Sequence, residues 1–215
     1  MPWAEGVEED EKKRDFELAF EEAWDQLLSS NPNEVARRSL AQYDEGEASF
    51  FVKFLGTQYQ VKMDEKVVVT SEGEWTNPFY AFLILHYLIR AKEIPVKNEH
   101  ISFRELYGGD IYYLAFKSRA IDVIGRAFES RPGELVQKGI KMGGEKAGLG
   151  DFSVTIPVFP KIPITIVIWL GDEEVPTTAN MLFDKTAGEH LHTEDIAAIS
   201  EELARKLSQE SRTGT

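Results

Sequence analysis

The sequence predicts an α+β fold: a single domain of mainly antiparallel sheet with packed helices, one of them buried at the centre. Three observations predict it. Residues 48–63 alternate apolar and polar side chains in two runs, which is typical of half-buried antiparallel strands. Residues 162–170 are continuously apolar and rich in β-branched side chains, which indicates a strand covered on both faces. Residues 79–92 are apolar on nearly all sides of a helix, so this helix should be buried.

No repeat, low-complexity linker or change in composition divides the chain. We therefore predict one domain over residues 15–210. Residues 1–14 are rich in acids and should form a flexible N-terminus, and residues 211–215 should form a tail. Helices should lie before and between two short antiparallel sheets, which can also be parts of one continuous sheet.

The first part of the domain predicts two helices. Apolar side chains recur at helical spacing within residues 15–30, which indicates an amphipathic helix. Asn31, followed by a proline, is a typical start for a short second helix. Val35 and Leu40 should point inward from it.

A meander of three strands should follow these helices. The alternating runs at 48–55 and 59–63 predict a hairpin whose turn is Gly56-Thr57. Residues 67–69, three consecutive valines, add a third short strand.

The central helix over residues 79–92 begins after Asn77 and Pro78, a second cap-plus-proline signal. It contains His86. The simpler interpretation of His86 is a core histidine bonded to a backbone carbonyl, and the alternative is a cofactor ligand.

The pattern in the middle of the chain predicts an extended segment, two helices and a strand. This strand should pair with the apolar strand at residues 162–170. A stiff connection bounded by two prolines should join these two strands. In order, these are the extended segment 101–104, the helices 113–130 and 132–143, the strand 151–157 and the connection 157–163.

The last part predicts a return strand at residues 181–183 and a final helix. Thr193 should cap that helix. Glu194 and Asp195 would then lie in its first turn, where the helix dipole favours acids.

The composition limits the function classes. The 37 acidic and 24 basic residues give a net charge of −13, which argues against nucleic acid and anionic membranes as partners. The chain has no cysteine, so it cannot hold an iron–sulfur cluster or a thiolate metal site. Its longest apolar block is shorter than the roughly 20 residues of a membrane helix, and its acidic start does not resemble a signal peptide. We expect a cytoplasmic protein that binds a small-molecule cofactor or substrate, and a basic protein partner remains open.

The strongest candidate site lies where the buried strand ends. Acids come directly after it, at Asp172 and Glu174, and Asp184 follows the return strand. We expect these carboxylates to converge with His192 at one end of the sheet, around a concave surface, with Arg104 offsetting their charge. The simpler alternatives are a solvated acidic turn and a structural cluster of ion pairs. The residues expected to contact a cofactor or substrate are His192, His86, Asp172, Glu174, Asp184 and Arg104.

His190 and His192 form an H-x-H pair. In an extended segment such residues project from the same face, where they can share a divalent metal such as zinc. The pattern is a low-specificity signal. The chain contains no G-x-S-x-G, H-E-x-x-H or phosphate-loop motif, so no catalytic residue is predicted.

Eight segments of the chain together carry a resemblance to a known family. They are 83–88, 101–106, 113–116, 150–154, 163–164, 168–174, 180–184 and 191–195. In this order they resemble the uncharacterised bacterial family named domain of unknown function 3786 (DUF3786). The likeness covers about residues 15–200 and is most specific in the last third of the chain.

This resemblance implies a setting and no activity. Similar domains are typical of anaerobic bacteria that use corrinoid and iron–sulfur enzymes, which suggests a protein that binds a corrinoid or related tetrapyrrole. Three hypotheses follow: a non-catalytic cofactor-binding or accessory protein, an enzyme that uses an acidic and histidine cluster on a small polar substrate, and an acidic module that docks a basic partner.

Overall fold

Two antiparallel sheets form the β part of the computed structural model, which describes residues 2–209 and, for residues 2–12, the backbone alone. The first sheet has four strands in the order β1-β2-β3-β4, and the second has five in the order β5-β9-β8-β7-β6. The sequence left open whether these sheets are continuous, and they are separate. With the helices packed on them, they make the predicted single α+β domain.

The first sheet is a meander of β1 (Gln42–Asp44), β2 (Ser49–Phe54), β3 (Thr57–Lys62) and β4 (Val67–Thr70). The three predicted strands are confirmed, and β1 adds a fourth. The hairpin turn is Leu55-Gly56, one residue earlier than expected, because Phe54 pairs directly with Thr57. Both turn residues have positive φ (48° and 80°), as tight hairpin turns require.

The second sheet contains β5 (His100–Ser102), β6 (Glu145–Lys146), β7 (Phe152–Phe159), β8 (Ile162–Trp169) and β9 (Thr178–Asp184). Strand β8 is central, and Ile166 and Ile168 are fully buried as the apolar run predicted. The predicted stiff connection is wrong, because Pro157 and Pro163 lie opposite each other inside β7 and β8. Strand β6 does not pair with Pro157, and strand β9 does not pair with Pro163. Neither proline therefore removes a hydrogen bond to a third strand.

The helices are α1 (Pro2–Ser29), α2 (Pro32–Ser39), α3 (Pro78–Arg90), α4 (Gly109–Phe116), α5 (Asp122–Phe128), α6 (Pro132–Lys141), α7 (Ala187–His190) and α8 (Thr193–Ser208). A five-residue π-turn joins α4 to α5, and a 3₁₀ turn at Phe103–Glu105 precedes α4. Within residues 2–209 no helix is both long and apolar enough to cross a membrane.

Helix α3 is the buried central helix that the sequence predicted, with most of its apolar side chains inaccessible to solvent. Phe82 is an exception to our expectation, because it is only half-buried. It faces α1 at the edge of the core, where its ring lies 5.2 Å from that of Phe16.

Three features of the helices differ from the sequence prediction. Helix α4 begins at Gly109 instead of residue 113. Helix α1 begins at Pro2 instead of residue 15, since the segment before residue 15 is rich in Glu and Lys, which favour helix without an apolar stripe. Leu40 is 62% exposed and has φ 59°, because α2 ends at Ser39 and Leu40 turns the chain outward. The predicted tail, residues 211–215, lies outside the described residues.

Candidate functional site

The predicted convergence of acids at one sheet end does not form. Strands β8 and β9 are antiparallel, so the loop carrying Asp172 joins them at one end, between Trp169 and Thr178. Asp184 is the last residue of β9 and therefore lies at the opposite end. Seven residues of extended strand separate the two ends by roughly 20 Å.

Asp172 shapes its own loop. Its Oδ1 accepts hydrogen bonds from the backbone N–H groups of Glu174 and Val175, both at 2.9 Å. These bonds lower the pKa of the Asp172 carboxyl. Both Asp172 and Glu174 are exposed, so the solvated acidic turn is the better description of this segment.

Asp184 is almost fully buried and anchors a loop. Its carboxylate accepts hydrogen bonds from the backbone N–H groups of Lys97 and Asn98, and from the N–H and hydroxyl of Thr186. Burial acts to raise the pKa of this carboxyl, but the hydrogen bonds outweigh it, so the pKa lies below its usual value. The side chain is fully engaged within the protein.

Arg104 does not meet those acids either. It is exposed, its guanidinium lies 3.9 Å from the centre of the Tyr113 ring, and its Nη1 is 3.4 Å from Asp110. These contacts hold it against α4, where it offsets one local charge.

His190 and His192 have opposite surroundings. His190 ends α7 and is completely buried, and its Nδ1 accepts a hydrogen bond from the backbone N–H of Lys92 at 3.2 Å. Burial, followed by the nearby Lys161 charge, lowers the pKa of His190 to about 4. His192 is exposed and precedes α8. The two rings do not share an open face, and the described part of the chain contains no cluster of three or more His, Asp or Glu suited to a metal ion.

The structure instead pairs His86 with Asp195. Nδ1 of His86 lies 3.1 and 3.0 Å from the two carboxylate oxygens of Asp195. His86 is on α3 and Asp195 is on α8, so the pair joins two helices that are far apart in the sequence. The side chain of His86 is 24% exposed and that of Asp195 is 9% exposed. The pair is thus held by the fold and reachable from solvent.

The helix geometry favours a charged carboxylate at Asp195. This residue is the third of α8, where backbone N–H groups and the helix dipole stabilise negative charge. An ionised carboxylate only accepts hydrogen bonds, so Nδ1 of His86 carries the proton of this contact. In the neutral imidazole, Nε2 then bears a lone pair.

An aromatic wall positions the His86 ring. Phe82, one turn earlier on α3, lies with its ring centre 3.9 Å from that of His86 at an angle of 45°. Phe16 of α1 packs against Phe82, with 5.2 Å between the ring centres. The imidazole is therefore fixed by a carboxylate at one nitrogen and by an aromatic ring at its face, an arrangement suited to a metal ligand or a general base.

Thr193 links this site to α4. The residue is the first of α8 and not its cap as predicted, and its hydroxyl donates to the carbonyl of Tyr107 at 2.7 Å. The backbone of His192 caps the helix instead, accepting from the N–H of Ile196. The α8 N-terminus, His86 and the start of α4 therefore form one region of the surface.

Sequence reasoning selected His86 but missed its partner. The simpler interpretation, a bond to a backbone carbonyl, is wrong, because the partner is a carboxylate. Asp195 was assigned only to the helix dipole. The two residues are 109 positions apart, and no local pattern links them.

The family model described as "Domain of unknown function (DUF3786)" matches residues 31–206. The match includes α3 and the start of α8, and hence both residues of the His86–Asp195 pair. No curated protein and no solved structure matches the chain.

Proposed function

Since the chain belongs to the DUF3786 family, whose description names no activity, we propose a function from the geometry at His86. The protein is a cytoplasmic, non-catalytic accessory protein that binds a corrinoid or related tetrapyrrole, the class of ligand that the family resemblance implies. His86 would hold the central metal of that cofactor.

The observation that supports this proposal is the contact of His86 Nδ1 with the Asp195 carboxylate at 3.0 Å. A histidine that binds metal through one ring nitrogen commonly donates its other N–H to a carboxylate. That second bond fixes the tautomer and makes the free nitrogen a better electron-pair donor. The residues present at His86 therefore fit a metal-centred group.

The number of protein ligands favours a macrocycle over a bare ion. A structural zinc ion takes four protein ligands and a catalytic one takes three. The residues that the structure describes offer no such cluster. A tetrapyrrole supplies the equatorial ligands itself and needs one or two axial ligands from protein. A single oriented histidine meets that requirement.

Each neighbour of His86 has a defined part in this function. Asp195 holds the proton on Nδ1 and the plane of the ring. Phe82 restricts rotation of the imidazole and offers apolar surface to a flat ligand. Phe16 supports Phe82 from α1, so the wall joins two helices.

The test is an absorbance titration with cobinamide, a corrinoid that lacks its own nucleotide base. Binding through imidazole shifts its visible spectrum, and we expect a saturable shift with the wild-type protein. His86→Gln should lose the shift. His100→Gln is the matched control, because His100 is an exposed histidine on the edge strand β5, and it should bind as the wild type does.

Two results would overturn the proposal. One is a wild-type protein that does not bind cobinamide. The other is a His86→Gln protein with wild-type affinity and spectrum, which would move the ligand elsewhere, for example to the groove of about 640 Å³ between α6 and the chain at residues 146–153.

A second candidate function is acid–base catalysis, because the same pair favours it. An Asp–His pair holds an imidazole in the tautomer that lets Nε2 accept a proton. The substrate would then be a small polar molecule, as in the second hypothesis from the sequence. A cobinamide spectrum that is unaffected by protein would favour this function over cofactor binding.

A further inference from the structure

Helix α4 exposes large apolar side chains to solvent. Tyr107, just before the helix, is 97% exposed, Ile111 is 83% exposed and Leu114 is 78% exposed. Ile111, Leu114 and Ala115 are three and four residues apart and so share one face of the helix. We call these four residues the α4 stripe. A single exposed apolar residue is ordinary, but a contiguous group marks an interaction surface.

The exposure does not come from a loosely attached helix. The opposite face of α4 is anchored by Phe116, whose ring stacks on that of Phe103 at 3.9 Å and 8° and is fully buried. At the helix start, a Cβ on Gly109 would lie 1.9 Å from the carbonyl oxygen of Phe103, so only glycine allows this close approach. The α4 stripe is a fixed surface of the fold.

The segment that carries the stripe differs in charge from the whole chain. Residues 103–117 contain two basic residues, Arg104 and Lys117, and two acidic residues, Glu105 and Asp110, so their net charge is zero. The chain as a whole carries −13. Arg104 also pairs with Asp110 at 3.4 Å.

This balance favours a second copy of the chain as the occupant. A basic partner would select acids around an apolar surface, and an acidic partner would select bases. Two copies of a chain with a net charge of −13 repel each other least where each presents no net charge. We propose that a second copy of this chain covers the α4 stripe, giving a twofold dimer in which α4 packs antiparallel to its counterpart.

The proposed interface has a defined centre. The eight residues of α4 span about 12 Å, whereas a stable dimer buries about 800 Å² on each partner. The stripe therefore forms the apolar core of the contact. Tyr112 and Arg104, at its margin, would form the polar rim, and the twofold axis passes near Leu114 and Ala115.

Sedimentation equilibrium of the full chain tests the proposal. The wild type should have about twice the monomer mass of 24.4 kDa. Leu114→Asp should sediment as a monomer with an unchanged circular dichroism spectrum, since Leu114 is exposed. Leu18→Asp is the matched control, because Leu18 is 58% exposed on α1, and it should remain a dimer.

If the wild type is monomeric at all concentrations, the proposal is overturned and the α4 stripe binds a different partner. Retention of the dimer by Leu114→Asp, or its loss in Leu18→Asp, overturns it as well, because the contact would then not be at α4.

The absence of cysteine allows an independent test. Ala115→Cys, placed on the stripe, should form a disulfide-linked dimer under mild oxidation at least ten times faster than Ser130→Cys, an exposed position after α5. Equal rates for the two variants would contradict a twofold axis at α4.

Discussion

His86 and His190 are two histidines of one fold with opposite surroundings. The Nδ1 atom of His86 contacts the carboxylate of Asp195, and part of the His86 ring is exposed to solvent. His190 is fully buried and accepts a hydrogen bond from the Lys92 backbone. Its burial, followed by the nearby charge of Lys161, lowers its pKa. A carboxylate partner prepares an imidazole to act as a ligand or base, whereas burial beside a cation keeps it neutral and structural.

The difference teaches which histidine to expect at a site. A histidine can bind a ligand only if one of its ring nitrogens is accessible to solvent, whatever sequence motif contains it. His190 belongs to an H-x-H pattern and has its Nε2 sealed in the protein. His86 belongs to no metal-binding motif and is oriented by Asp195 on a helix that is distant in the sequence. Removing His190 should therefore affect stability, and removing His86 should affect binding.

The largest expected effect is on stability at His190. His190→Ala removes a completely buried ring and leaves the N–H of Lys92 without its acceptor. We expect the free energy of unfolding to fall by about 3–4 kcal/mol, from the cavity and the unpaired donor together. Urea denaturation at pH 7 measures it. A loss below about 1 kcal/mol would show that His190 is not part of the core.

The next effect is a pH dependence from the same residue. The pKa of His190 is about 4 in the folded protein and about 6.5 in an unfolded chain. Between these values the unfolded chain binds more protons, so stability is full above pH 6.5 and declines as the pH falls towards 4. The contribution is about 2–3 kcal/mol.

Urea denaturation at several pH values between 7 and 4 measures this contribution. His190→Gln is the control, because it keeps a polar side chain but has no charge to gain. The wild type should lose about 2–3 kcal/mol more than the variant over this range. Parallel curves for the two proteins would contradict the assigned burial of the imidazole.

Local patterns of the sequence predicted much of the fold and little of the site. The continuous apolar run predicted the central strand β8, and the all-round apolar helix α3 followed from the same kind of signal. These features depend on side-chain periodicity, which neighbouring residues carry. The contact of His86 with Asp195 depends on how α3 and α8 pack, which periodicity does not encode.

The errors have the same origin. The acids at Asp172 and Asp184 were expected to meet because both follow strands. Successive antiparallel strands release the chain at alternate ends of a sheet, so the acids lie at opposite ends. The exposed α4 stripe was also missed, because an apolar helix segment predicts burial.

A smaller effect is expected at Asp195. Asp195→Asn keeps the size of the side chain but removes the charge that fixes the His86 tautomer. We expect a cost of about 1 kcal/mol in stability and a 10–100-fold weaker affinity for cobinamide, the usual effect of losing the partner of a ligating histidine. Equilibrium dialysis measures the affinity. Unchanged affinity would make the carboxylate a purely structural contact.

The smallest effect on stability is expected at His86 itself. Because its side chain is partly exposed, His86→Gln should lower the free energy of unfolding by less than about 1 kcal/mol. Thermal denaturation of the two proteins measures the difference. A loss as large as that of His190→Ala would show that His86 is a structural histidine like His190.

Electron paramagnetic resonance tests most directly whether the imidazole of His86 binds the metal of a corrinoid. Cobinamide in its Co(II) state has no nitrogen base of its own, so an axial nitrogen must come from the protein. With the wild type we predict a nitrogen triplet on the cobalt lines, which becomes a doublet when histidine is labelled with ¹⁵N. His86→Gln should show no nitrogen splitting. The same triplet in His86→Gln, or its absence from wild-type protein with bound cobinamide, would contradict the account.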